Sequence, residues 1–220
     1  MTSRKLPPLG RLYLWATRRL YNEFAWAYDL AAWIVSLGRW GGWRRLALEY
    51  VETGPVLEVG FGTGELLMEM SRRNWPALGI DLSPAMHRIS AHKMHCAGLW
   101  VPLVRGRTQR MPFDDESCGS IISTFPAEFI VDPVTQQEFA RILRPGGRAI
   151  IIDSVVLNNS RVWNWSGRLL FGGPSDPLLD PGEKQTTATG LRASVVVRDD
   201  PPWQVPVILL EKPIDWHPAS

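Results

Sequence analysis

The stretch VLEVGFGTGELL, residues 56–67, concentrates the chemistry of this chain. A short apolar run leads straight into Gly60, Gly62 and Gly64, and helix-forming residues follow. Glycine permits positive φ and leaves no Cβ between the backbone and a ligand. A helix that starts at the last glycine presents unpaired N–H groups to something negative. The spacing is G-x-G-x-G, not the G-x-G-x-x-G of a plain dinucleotide loop. Glu58 stands two residues before the first glycine, at the strand's end, where an acid suits an ammonium and not a pyrophosphate. The loop therefore fits a zwitterion, with its carboxylate near the helix end and its amine near Glu58. Asp81 follows at the end of a second apolar run, and a carboxylate there accepts hydrogen bonds from both hydroxyls of a ribose. The bland alternative is a tight strand–helix turn that binds nothing. The glycines, Glu58 and Asp81 agree on one ligand, which favours the site.

These residues need elements to hold them. The pattern predicts strands at 56–59, 77–80, 100–104, 120–123 and 148–155. Helices are expected at 64–73, at 84–96 with Ser83 as N-cap and Pro84 in the first turn, and at 133–143. Pro145-Gly146-Gly147 stops the last of these. Strands alternating with helices of this length give an α/β fold with a parallel, doubly wound sheet. Two β-branched runs at 191–198 and 205–211, joined by the 199–203 sequence DDPPW, read as an antiparallel hairpin. That makes seven strands. Residues 1–10 read as a loose tail. Residues 11–51 have helical periodicity broken at Gly38, Gly41 and Gly42, and Thr53-Gly54-Pro55 ends it. The expected organisation is a helical cap over 1–52 and a core over 53–220, forming one structural domain.

Composition narrows the class. The chain has 220 residues, 45% hydrophobic and 21% charged, which excludes a disordered chain, a collagen and a coiled coil. Cys96 and Cys118 are its two cysteines and form no CxxC, so a reducing, cytoplasmic setting is expected. A net charge of +2 is too small to argue for nucleic acid. The charge is uneven: the first fifty residues are strongly basic, and the remainder is acidic. That basic segment also holds Trp15, Trp26, Trp33, Trp40 and Trp43. Two readings stand. The tryptophans pack on the core beneath a helical cap, or residues 11–45 form an interfacial surface that touches the inner face of a membrane peripherally. The apolar run at 30–38 is far shorter than the roughly 20 residues of a membrane span. Arg18, Arg19, Glu23 and Asp29 interrupt every candidate signal sequence.

The E-x-G-x-G-x-G loop followed by a strand ending in Asp resembles the S-adenosylmethionine site of class I methyltransferases. RMPFDDESCGSII (110–122) and FARILRPGGRAIII (139–152) are similar to the L-P-F-x-D-x-S-F-D stretch and the R-V-L-K-P-G-G turn of the ubiquinone/menaquinone-biosynthesis-type enzymes. YDLAAWIVSLGRWGGWRR (28–45) resembles the segment that opens those enzymes, with Ala32 in place of their Asn. The resemblance spans about 28–155 and implies a Rossmann-like fold that uses S-adenosylmethionine and releases S-adenosylhomocysteine. It implies that Gly60, Gly62 and Gly64 line the methionine half, that Glu58 holds the amino group, and that Asp81 binds the ribose with Leu82 against the adenine. Gln109 and Met111 would clasp the adenine from the third loop, where Arg107 stands in place of a common acid. Thr124 and Phe125 would face the sulfonium, and Tyr28 would lie over the cofactor.

Methyl transfer from a sulfonium needs alignment and exclusion of water, and a base only where the nucleophile must lose a proton. Glu128 is the candidate base, or else a surface residue at a helix start. Phe125, Phe129, Trp163 and Trp165 read as an apolar acceptor pocket or as core. His92, His95 and Cys96 have ligand chemistry but share one helix with no closing partners, so no metal is expected. The acceptor is expected to be small and apolar or lipid-like. The residues after the fourth strand, Ser123-Thr124-Phe125-Pro126, lack the D/N-P-P-Y of amino-group methylators, which argues against nucleic acid. Two other readings remain: a membrane-surface enzyme acting on a phospholipid or quinone, and a non-enzymatic cofactor-binding partner or sensor.

Overall fold

A computed structural model describes residues 36–52, 54–126, 128–157 and 184–216. Helix α1 (Trp40–Leu46) runs into a 3-10 turn (Ala47–Tyr50), then β1 (Val56–Val59), α2 (Glu65–Arg72), β2 (Ala77–Asp81), α3 (Pro84–Cys96) and β3 (Leu103–Arg105). After these come β4 (Cys118–Thr124), a 3-10 turn (Glu128–Val131), α4 (Pro133–Ile142), β5 (Leu143–Ile152), β6 (Val156–Leu157), β7 (Lys184–Thr186), β8 (Arg192–Asp200) and β9 (Trp203–Glu211).

The strands form one sheet in the order β3-β2-β1-β4-β5-β9-β8-β7. The β3-to-β5 half is parallel, and β9 runs antiparallel to both β5 and β8. All four residues of β1 are buried, as expected of a strand covered on both faces. Its side chains alternate. Leu57 and Val59 join a core with Ile121, Phe139, Ile142 and Ile151 under α4. Val56 packs on the other face with Trp43, Phe61, Leu66, Leu67 and Ile150, under α1 and α2. Glu58 shares the parity of Val56.

Local signals set the helix ends. The Ser83 hydroxyl accepts the Met86 N–H at 3.3 Å, with Pro84 in the first turn. Asp132 caps α4 in the same manner, accepting the Val134 N–H at 3.0 Å ahead of Pro133.

The sheet corrects the expected seven strands. It adds β6 and β7, each too short to carry a readable period. β6 resumes the β5 line on β9, pairing Val156 with Gln204. The expected strand at 100–104 shrinks to Leu103–Arg105, because Pro102 has no N–H to donate and Trp100 stands 80% exposed. β5 runs over Leu143–Ile152 and not the expected 148–155, so Pro145-Gly146-Gly147, expected to stop the helix, lies inside the strand after α4 has ended at Ile142. Leu143 already pairs with Cys118, and the register shifts before Ser120 meets Arg148. The C-terminal hairpin is longer than expected and pairs Asp200 with Trp203 across Pro201-Pro202. Most of the expected cap, and Tyr28 with it, lies outside the described residues. So do Trp163 and Trp165.

Candidate functional site

The strand order reverses between β1 and β4, which opens a crevice outside their C-terminal ends. The glycine loop borders it. Gly60, Gly62 and Gly64 all have positive φ, at 73°, 54° and 79°. They are not equivalent. A Cβ on Gly62 would meet nothing within 4 Å, so this position faces open space. A Cβ on Gly60 would lie 3.3 Å from the Phe129 ring. One on Gly64 would fall 2.0 Å from the Ser90 hydroxyl of α3. Gly64 is therefore required by the packing of α2 on α3, and it shapes the loop from behind.

Asp81 ends β2 beside this loop. Its Oδ2 accepts the Gly62 N–H at 3.0 Å and its Oδ1 accepts the Ser83 N–H at 2.8 Å. Burial raises the pKa of this carboxyl, and the Ser83 and Gly62 N–H groups pull it back down. Each oxygen keeps a second lone pair for a hydroxyl donor. Leu82, next in sequence, is 55% exposed and offers an apolar surface at the rim.

Glu58 is the most unusual group of the site. It is 2% exposed, and its Oε2 has no hydrogen-bond partner. Burial pushes its pKa up to about 8, opposed by the positive charge of Arg44, while nearby Asp81 raises it further. A buried carboxyl with an unfilled acceptor is costly to maintain, and a cation bound there would relieve that cost. The observed donor set fits the zwitterion expected from the sequence: an ammonium at Glu58, open backbone at Gly62, and a hydroxyl acceptor at Asp81.

The other expected contacts are placed less directly. Thr124 closes β4 at the crevice. Phe125 follows with a left-handed φ of 50° and donates its N–H to Ile152 O at 2.6 Å. Glu128 opens the turn that comes next. Gln109 sits in the third loop, but its Nε2 is committed to Asp132 at 2.9 Å. Met111 is 3% exposed and lies in the core under α4. Its peptide is clamped there, the N–H by Glu138 at 2.7 Å and the carbonyl by Arg141 at 3.0 Å. His92 and Cys96 approach to 3.7 Å on α3, and no group of three or more such side chains able to hold a metal occurs among the described residues.

Sequence reasoning named Trp40 as one of the cap tryptophans but missed its stacking on Phe125, with centroids 3.9 Å apart and planes inclined by 20°. It also missed Arg44 near Glu58. Both sit on α1, in a different element from their partners, so no local pattern reports them.

The model of a family described as a methyltransferase domain matches residues 57–151. A demethylmenaquinone methyltransferase of Deinococcus radiodurans is 31% identical, over 70% of this chain and 67% of its own length. A ubiquinone/menaquinone biosynthesis C-methyltransferase of Syntrophotalea carbinolica is 30% identical, over 74% of this chain and 64% of its own length. The chain spans about three fifths of the length of several such relatives. In fold it matches an S-adenosylmethionine-dependent methyltransferase of Aquifex aeolicus, at TM-score 0.52 and 17% identity, over 76% of this chain and 88% of that one. No helix among the described residues is long and apolar enough to cross a membrane. Glycine loop, strand order and sequence agree, and the chain belongs to the class I S-adenosylmethionine-dependent methyltransferases, of the ubiquinone/menaquinone C-methyltransferase type.

Proposed function

We propose that this chain moves a methyl group from S-adenosylmethionine to a small, apolar acceptor of the quinone type. The observation that carries the proposal is the buried, unpartnered Glu58 Oε2 at the end of β1, ahead of a glycine loop whose Gly62 faces open space. The bound sulfonium supplies an activated methyl and its own leaving group. The protein's work is to bind, align and exclude water.

In this reading Glu58 takes the amino group, and the cation's field returns its carboxyl to the ionised form. Gly60 and Gly62 admit the methionyl chain, and Gly64 fixes their geometry through Ser90. Asp81 anchors the ribose, with Leu82 under the adenine. The third loop borders the adenine through the backbone ahead of Met111, because the Gln109 amide is held by Asp132 and the Met111 peptide by Glu138 and Arg141. Thr124 and Phe125 face the transferred methyl. Glu128, just past β4, accepts a proton from acceptors that must lose one. The quinone-type acceptor rests on the relatives named above and on the aromatic surface at the end of β4.

A tritiated-methyl assay tests this directly. The acceptors are reduced 1,4-naphthoquinone, a lipid extract and a panel of phenols and amines. Label is expected in the naphthoquinol and in the apolar extract. Label confined to the amines would contradict the acceptor class, and no transfer to any acceptor by a chain that binds S-adenosylhomocysteine would leave a cofactor-binding partner instead.

A further inference from the structure

We infer that Asp200, at the tip of the β8–β9 hairpin, is a positioning residue for acceptor binding: it fixes α1 so that Trp40 and Phe125 form a stacking surface for a planar aromatic acceptor. The inference rests on the methyl-transfer reading above and names how that acceptor is held.

The chain of contacts is continuous. Asp200 Oδ2 accepts the indole N–H of Trp43 at 2.9 Å, and Oδ1 pairs with Arg39. Trp43 is 5% exposed and packs edge-on against Trp203 at 5.5 Å. A second tie joins the same elements, since Arg198 of β8 pairs with Glu49. The hairpin thus grips α1 and the turn after it. Trp40 lies one helical turn before Trp43, so a helix held at Trp43 carries Trp40 with it. The Ser36 hydroxyl accepts the Trp40 N–H at 3.0 Å and steadies the start of α1.

Phe125 is fixed from the opposite side. Its left-handed backbone is unusual for an aromatic residue, and its N–H is held by Ile152. One ring is therefore set by β4 and β5, the other by the hairpin, and they meet as a near-parallel stack. Both residues are half-buried, and Phe125 stands just past the end of β4 at the crevice. A flat aromatic ring extends such a stack, whereas a flexible aliphatic chain gains no comparable geometry. The Arg39–Asp200 pair is substantially exposed and contributes little by itself. The bond to the buried Trp43 indole carries the coupling.

The test uses the full chain and the variants Asp200→Ala, Asp200→Asn, Trp40→Ala and the Asp200→Ala/Trp40→Ala double, with reduced 1,4-naphthoquinone as acceptor. Asp200→Ala and Trp40→Ala are each expected to raise the acceptor KM by about threefold to tenfold. S-adenosylhomocysteine affinity and kcat should stay within about twofold. Asn keeps an oxygen for the Trp43 N–H, so Asp200→Asn should recover most of the loss. The double variant should be no worse than Trp40→Ala, because both act through one ring. An unchanged KM in Asp200→Ala, or additive losses in the double, would overturn the inference. Should Asp200→Ala fail to fold, Trp40→Ala at wild-type KM would overturn it equally. A wild type that binds no S-adenosylhomocysteine would instead remove the underlying reading.

Discussion

Asp81 Oδ2 accepts the N–H of Gly62 at 3.0 Å, so the acid that ends β2 also holds the loop that follows β1. Through Oδ1 the same carboxylate holds Ser83 at the start of α3. One side chain thus ties together the two walls between which a nucleoside and its amino-acid tail would lie. The tie spans two loops that face the same crevice.

Replacing Asp81 with Ala should weaken S-adenosylhomocysteine binding about ten- to a hundredfold, the cost of a lost charge-assisted acceptor at roughly 1.5–3 kcal/mol. Calorimetry reads it. Asp81→Asn should lie between the two, and an unchanged affinity in Asp81→Ala would remove this residue from the site.

The glycines separate by consequence. Gly62→Val should abolish binding while the melting temperature falls only modestly, because its Cβ meets open space and only the positive φ resists it. Gly64→Val should lower the melting temperature much further, because its Cβ would overlap Ser90. A thermal shift measured beside cofactor affinity distinguishes them, and the reverse ranking would mean that Gly62 does not face the ligand.

Much of this was legible in sequence because it is local. β1, α3 and α4 lie where runs, caps and prolines put them, and Glu58, the glycines and Asp81 converge at one crevice. Signals failed where a distant partner decides the outcome. Met111 looked like a rim residue, but Arg141 draws its carbonyl down and its side chain joins the core. Gln109 looked free to meet a base, but Asp132 takes its amide. Asp200 read as a turn residue, since its partner Trp43 is 157 positions away. The strand expected at 100–104 starts only at Leu103, for a local reason, the missing N–H of Pro102.

Arg141 clamps the third loop, donating to Phe113 O at 2.7 Å and Met111 O at 3.0 Å while pairing with Glu138 and Asp115. Its guanidinium holds the Glu138 carboxyl below the usual range. Arg141→Ala strands both carbonyls and should cost about 1–3 kcal/mol of stability. Urea unfolding measures this. A loss below about 0.5 kcal/mol would show that the clamp is dispensable.

Glu58 should make the empty protein sensitive to alkali. Its folded pKa of about 8 lies above the ordinary 4.5, so between those values the folded state keeps a proton that the unfolded chain releases. Stability contributed by this group is full below the lower value and is lost as pH rises through the window. Glu58→Gln has no such loss. Its melting-temperature advantage over wild type should therefore grow from pH 5 to pH 8, and a constant difference would place Glu58 outside the buried site.

The most direct measurement is titration of S-adenosylhomocysteine into wild type and Glu58→Gln at pH 7, in two buffers of different ionisation enthalpy. The carboxyl that is mostly protonated when empty must ionise to meet the ammonium, so wild type should release close to one proton on binding. Its affinity should rise with pH by up to about tenfold per unit between 6 and 8. Glu58→Gln should bind more weakly and release none. Absence of binding by wild type, or equal affinity with no proton release in both proteins, would contradict the account.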